Sequence, residues 1–165
     1  MDTHLIRFAG EQDFDALCRL YVEFHEFHVR GVPDRLRSLD DPERNDYPRL
    51  KTVLGAIISA DDSAIFVAES GGKVIGLVEV YLKTDDGTDP QIVPHTYGYV
   101  QSLMVEDASR RQGTGARLLD VAEQWARTKG ATEIQLGAWE FEAGPLHFYE
   151  KVGFRTLKRT LVKDI

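Results

Sequence analysis

Apolar residues run together or alternate over 4–8, 64–68, 74–82, 97–105 and 134–138, and between these stretches they recur every three to four positions. The first pattern predicts strands and the second amphipathic helices. After a strand at 4–8, a helix opening near Gly10 carries Phe14, Leu17, Tyr21, Phe24 and His28 on one face, and Gly31 and Pro33 stop it. Residues 30–49, rich in charge and proline, read as a surface connection or lid rather than a link between domains, and a second helix is predicted over Tyr47 to Ser59. Ala64–Ala68 and Val74–Leu82 flank Ser70-Gly71-Gly72-Lys73, which predicts a hairpin. An acidic loop over 83–96 leads to a strand at Tyr97–Val105. Leu118, Leu119, Val121, Ala122, Trp125 and Ala126 then mark a helix that closes at Lys129-Gly130. A strand at Ile134–Ala138, a short helix at Pro145–Val152 and a terminal strand or bent ribbon from Phe154 complete the prediction.

Composition narrows the class. A chain of 165 residues with ordinary apolar content fits one domain with a substantial core. Cys18 is the sole cysteine, so neither an internal disulfide nor a thiol metal cluster is available, and no His/Asp/Glu spacing calls for a metal. No apolar run is long enough to cross a membrane and no export signal opens the chain, which points to the cytoplasm. The net charge of −7 argues against a nucleic-acid partner. That charge is uneven, because residues 1–96 carry 18 acidic and 10 basic side chains whereas 97–165 carry 9 and 10. At a screening length of roughly 8 Å, remote carboxylates do not forbid an anion site in the second part.

Such a site is suggested by Arg110-Arg111-Gln112-Gly113-Thr114-Gly115, which lies between a predicted strand and a predicted helix. Glycines let the main chain approach an anion, and the first turn of a helix leaves N–H groups unpaired. Neither the nucleoside-triphosphate loop nor the dinucleotide-binding glycine pattern is present. With the strand ending Leu103-Met104-Val105 before it, and Phe148-Tyr149-Glu150-Lys151-Val152-Gly153-Phe154 after it, the run from Tyr97 to Phe154 resembles the acetyl-CoA-binding core of the GNAT superfamily of N-acetyltransferases. The first half of the chain agrees with that family in element order only.

The resemblance implies an α/β (α+β) GNAT fold. Its sheet is mixed, mostly antiparallel and twisted, with splayed central parallel strands at 97–105 and 133–138, flanked by about four helices. It implies acetyl-CoA as co-substrate, with pantetheine pairing along Leu103, Met104 and Val105. The pyrophosphate then meets the N–H groups of Arg111, Gln112, Gly113, Thr114, Gly115 and Ala116, aided by Arg110 or Arg111. Lys151 is a candidate for the 3′-phosphate side, against the plain alternative of a solvated lysine. Tyr149 becomes the general acid for the departing thiolate, because a phenol stays protonated near neutral pH. An amide near Val105 could stabilise the oxyanion of direct attack by the amine.

Two positions depart from the family pattern. Glu142 stands at a cofactor-binding position where asparagine is common and, as an acceptor-only side chain, puts an asparagine-like contact to the cofactor in doubt, and Pro145 stands where alanine is common, harmless at a helix start. Glu140, Glu142 and Tyr99 are all candidates for the general base, with Glu140 weakly favoured. His25 and His28 are candidates for the acceptor side. The acceptor that the resemblance implies is a primary amine of a small molecule or peptide. Glu23, Glu26, Asp85, Asp86 and Asp89 hint that it is cationic, although charged loops are usually only solvated. The competing reading is a non-catalytic acyl-CoA-binding or sensing module, and a homodimer is compatible with either.

Overall fold

The computed structural model describes residues 4–39 and 47–165. Five strands form one sheet in chain order: β1 (Leu5–Phe8), β2 (Ser63–Ser70), β3 (Lys73–Thr84), β4 (Thr96–Val105) and β5 (Glu133–Leu136). The first three junctions are antiparallel, and β4 pairs with β5 in parallel. That mixed sheet with α1 (Phe14–Gly31), α2 (Tyr47–Ser59), α3 (Thr114–Thr128) and α4 (Leu146–Lys151) is the architecture expected from the sequence. Gly71 and Gly72 both take positive φ in the β2–β3 turn, which suits the twist of a two-residue hairpin.

The sheet separates two apolar cores. On one face Leu17, Cys18 and Leu20 of α1 and Leu54 and Ile57 of α2 pack on Ile65, Val67, Leu77 and Met104. On the other, Leu118, Leu119 and Ala122 of α3 and Tyr149 of α4 pack on Phe66, Val78, Val80 and Val100. Strands buried on both faces lose the apolar–polar alternation of a half-exposed sheet, so Ala64–Ala68 is a continuous apolar run.

Asp13 ties the N-terminal strand to the first helix. Arg7 donates to both of its carboxylate oxygens at 2.7 and 2.9 Å and also pairs with Glu69 on β2, while the Gly10 N–H donates to Asp13 at 2.9 Å. The Arg7 guanidinium holds the Asp13 carboxyl below its usual range although the side chain is only 4% exposed. A depressed folded-state pKa gives stability that is complete above the unfolded value and lost as pH falls through the folded one. We therefore expect Asp13→Asn to lower unfolding free energy by about 2 kcal/mol at neutral pH, with the deficit shrinking below about pH 4, as read by urea denaturation at pH 7 and pH 3.

The terminal strand expected from Phe154 does not form. Residues 155–165 are exposed throughout, and no main-chain hydrogen bond joins them to the described residues. Leu161, for example, is 85% exposed. Leu157 and Leu161 would share one face of an extended chain, but a ladder also needs a neighbouring edge to supply N–H and C=O groups. Strand β5 is also shorter than expected, stopping at Leu136 rather than Ala138.

Candidate active site

The glycine run folds as a cradle. Arg111 and Gly113 both have positive φ, at 61° and 80°, and Gly113 caps α3 with its carbonyl accepting from Arg117 N–H at 3.1 Å. Among the described residues, no partner is present for the main-chain N–H groups from Arg111 to Ala116. A Cβ added at Gly113 would meet nothing within 4 Å, so the space above the loop is open. At Gly115 the reverse holds: Phe148 of α4 comes within 3.3 Å of where a Cβ would sit, which docks α4 against the cradle. Unpaired donors at a helix N-terminus with open space before them suit a phosphate.

Side chains of the loop behave less uniformly than the sequence suggested. Thr114 is buried, its hydroxyl bonded to His4 Nδ1 at 2.7 Å, so only its amide faces the cradle. Arg117 donates to the His4 carbonyl at 2.8 Å, a second tie between loop and β1. Arg110 folds back: its Nε donates to the Val105 carbonyl at 2.8 Å, its guanidinium pairs with Asp107, and it lies over the Phe27 ring. Arg111 and Gln112 are exposed, and among the described residues the Arg111 guanidinium has no partner. Lys151 is exposed on α4.

The cleft opens where β4 leaves β5. Their parallel register ends at Val100 opposite Leu136, so among the described residues β4 has no strand neighbour on that side from Gln101 onward. Glu106 N–H bonds the Ile75 carbonyl at 2.8 Å, and antiparallel pairs alternate, so Met104 and Ser102 also turn their main chain toward β3. Leu103 and Val105 consequently turn theirs into the cleft. The Val105 carbonyl is taken by Arg110, leaving its N–H and both groups of Leu103 available. Gln101 is an extra residue on β4, because Glu79 faces Ser102 while Val80 faces Val100. This bulge lies at the splay and reverses the alternation: Val100 lies in the α3-side core before it, whereas Leu103 and Val105 pack there after it. No glycine or proline beside Gln101 marks it, so sequence reasoning missed it.

Tyr149 sits on α4 beneath that cleft, with Phe148 and Phe154 against it at ring separations of 5.4 and 5.7 Å. It is 8% exposed, and burial raises its pKa to about 12. Every fully buried side-chain polar atom among the described residues has a partner, and the Tyr149 hydroxyl has none, so its oxygen is not fully closed off.

On the opposite face of the sheet the acceptor-side candidates sort differently. Phe141, on the loop after β5, packs on Phe27 and on His28 at the C-terminal half of α1, and Gly31 admits it because a Cβ there would approach the ring to 2.5 Å. His28 bonds the Phe24 carbonyl and His25 meets the Arg37 carbonyl at 2.6 Å, so both histidines hold main chain. The Glu26 carboxylate receives Leu39 N–H and the Ser38 hydroxyl. Asp85, Asp86 and Asp89 likewise accept main-chain N–H groups of their own loop. Glu140 pairs with Arg159 at 3.6 Å and Glu142 is exposed. Both line an open depression with Glu150 and His147. Tyr99 lies on β4 with Lys83 over its ring, and its hydroxyl is 3.3 Å from a Cβ position at Gly137, just past the end of β5. Among the described residues no group of three potential metal ligands gathers, and no helix is long and apolar enough to cross a membrane.

A splayed parallel pair thus stands beside an amide cradle, with a buried tyrosine packed on the α3 side of the sheet. The chain belongs to the acetyltransferase (GNAT) family, whose profile matches residues 14–154. It is 24% identical over 149 residues to the uncharacterized N-acetyltransferase YhfO of Bacillus subtilis, covering 90% of this chain and 88% of that protein. A variant of the BH1408 protein from Bacillus halodurans superposes with a TM-score of 0.86 at 23% identity, covering 98% of this chain and 99% of that one. The structure of AAC(6')-Iy in complex with the bisubstrate analog CoA-S-monomethyl-acetylneamine superposes with a TM-score of 0.73 at 17% identity, covering 99% and 98%. These structural likenesses establish the fold.

Proposed function

We propose that this N-acetyltransferase binds acetyl-CoA along Leu103 and Val105 and in the cradle from Arg111 to Ala116, and moves the acetyl group directly to a primary amine. The observation that carries this reading is the alignment of unpaired donors: the free β4 edge runs into a loop whose amides have no partner and whose glycine leaves open space above it. A chain of amides and a pyrophosphate can satisfy both. That a structural neighbour is described in complex with CoA supports the same ligand.

In this reading the protein mainly positions its substrates, since a thioester is already activated toward amines. Tyr149 gives its proton to the departing sulfur, and the Val105 or Leu103 N–H stabilises the carbonyl oxygen as charge develops on it. Glu140 remains one candidate for removing a proton from the acceptor. Its pairing with Arg159 across 3.6 Å places it at the exposed rim.

The test has two readouts. CoA at a hundred times its dissociation constant should stabilise the folded chain by about 2.7 kcal/mol, seen as a raised Tm. A panel of alkylamines, aminoglycosides and basic peptides should then give amine-dependent thiol release. Stabilisation without thiol release from any amine would select the CoA-binding or sensing module instead, and no stabilisation would remove CoA as the ligand.

A further inference from the structure

Glu79 is a buried carboxyl group which, unlike Asp13, has no cation beside it among the described residues. It lies on β3 at the level of the Gln101 bulge, faces α1, and is 5% exposed. Its two oxygens accept the phenol hydrogens of Tyr21, from α1, at 2.6 Å and of Tyr81, two residues along β3, at 2.5 Å. Among the described residues no lysine, arginine or histidine pairs with it. Buried carboxylates are expensive unless paired with a cation, and two neutral phenols leave the negative charge uncancelled. A core built for stability alone would place an apolar side chain here, between Leu77 and Tyr81.

The position relative to the cleft gives the carboxylate a use. Tyr149 packs on the α3 face of the sheet, whereas Tyr21, Glu79 and Tyr81 lie on the α1 face, where Phe141 also packs against α1. Glu79 faces Ser102, next to Leu103 at the free β4 edge, and adjacent strands lie about 4.8 Å apart. Tyr81 is only partly buried and faces Tyr99, whose hydroxyl reaches the end of β5. The two phenols and the carboxylate thus form a hydrogen-bonded chain whose carboxylate lies one strand from the start of the splay, with Tyr81 opposite Tyr99 on the last paired stretch of β4. The other titratable or charged groups around this chain are Cys18 of α1, Asp62 before β2, Lys83 of β3 and Tyr99 of β4.

We propose that Glu79 is the proton acceptor for the attacking amine, working through the Tyr81 hydroxyl. This rests on the acetyl-transfer reading above. An alkylammonium gives one N–H proton to the Tyr81 oxygen as the phenol passes its own proton to Glu79 Oε1. The amine gains its lone pair, the phenol is regenerated and the carboxylate becomes a neutral acid. Charge balances, since one cation and one anion become two neutral groups. Burial and the carboxylate contact raise the Tyr81 pKa, so the phenol relays a proton and does not ionise by itself. Glu79 acts through Tyr81 and is therefore a positioning residue, and the acceptor class is an amine that is protonated at neutral pH.

The experiment compares two acceptors in thiol release: the best alkylamine of the panel, and an O-alkylhydroxylamine of the same skeleton whose nitrogen is neutral at pH 7. Glu79→Gln can keep both phenol contacts, one accepted and one donated, and Tyr81→Phe breaks the relay while leaving the carboxylate. Each should lower kcat/KM for the alkylamine about tenfold at pH 7, a deficit that closes as pH rises toward the pKa of the amine, and leave the neutral acceptor within about twofold. Equal losses for both acceptors, or no loss for either, would overturn the proposal. If Glu79→Gln does not fold, Tyr81→Phe alone decides by the same comparison. Absence of thiol release by the unmodified protein with every amine, while calorimetry still shows CoA binding, would instead remove the acetyl-transfer reading and this inference with it.

Discussion

Tyr149→Phe is expected to reduce turnover about a hundredfold while changing CoA affinity by less than about twofold. The phenol ring packs between Phe148 and Phe154, and phenylalanine keeps that packing, so α4 should stay in place. Only the oxygen is lost, and the oxygen has no hydrogen-bond partner among the described residues, so no buried group is left unsatisfied. Because burial raises the pKa of Tyr149 to about 12, its acid form persists over the whole working range. The high-pH limb of the native rate profile should therefore show no loss of a general acid below about pH 11. Steady-state thiol release across pH, with CoA binding measured by calorimetry, checks both parts. Turnover of the variant equal to that of the native protein at every pH would remove Tyr149 from the mechanism.

Gly113→Val should weaken CoA binding by about tenfold to a hundredfold. The φ of 80° is unfavourable for any side chain and worse for a β-branched one, with strain of about 1–3 kcal/mol. The added methyls would also project into the open space where no protein atom lies within 4 Å. Strain and obstruction can be told apart. Gly113→Ala carries most of the first and little of the second, so calorimetric affinities should fall in the order glycine, alanine, valine. Denaturation midpoints without CoA report the strain. Affinity unchanged in both variants would show that the cradle does not contact the ligand.

Much of this arrangement is legible from residue order. The bounds Tyr47–Ser59 for α2 follow from helical periodicity, and the Ser70-Gly71-Gly72-Lys73 hairpin from the demand for positive φ. The cradle is legible for the same reason: its chemistry lies in the backbone, which glycine at position 113 exposes locally. Side chains within it are not. Arg110 looks like a phosphate ligand in sequence but is held by Val105, Asp107 and Phe27, and Thr114 is turned inward by His4, 110 residues earlier. Glu26, Asp85, Asp86 and Asp89 read in sequence as loop charges, and the structure adds that each accepts nearby main-chain hydrogens.

What the sequence by itself determined is whatever depends on neighbours a few residues away: the order and kind of elements, the helix-opening loop, and through Tyr149 to Phe154 the family. Tertiary structure alone decided matters that require elements distant in the chain to meet. The tail from 155 had the pattern of a strand but no edge to pair with, since hydrogen bonding in a sheet is a property of two segments. The bulge at Gln101 exists only in the register between β3 and β4. Glu79 reads as an ordinary strand glutamate until Tyr21, 58 residues earlier, brings α1 over it and closes its carboxylate away from water.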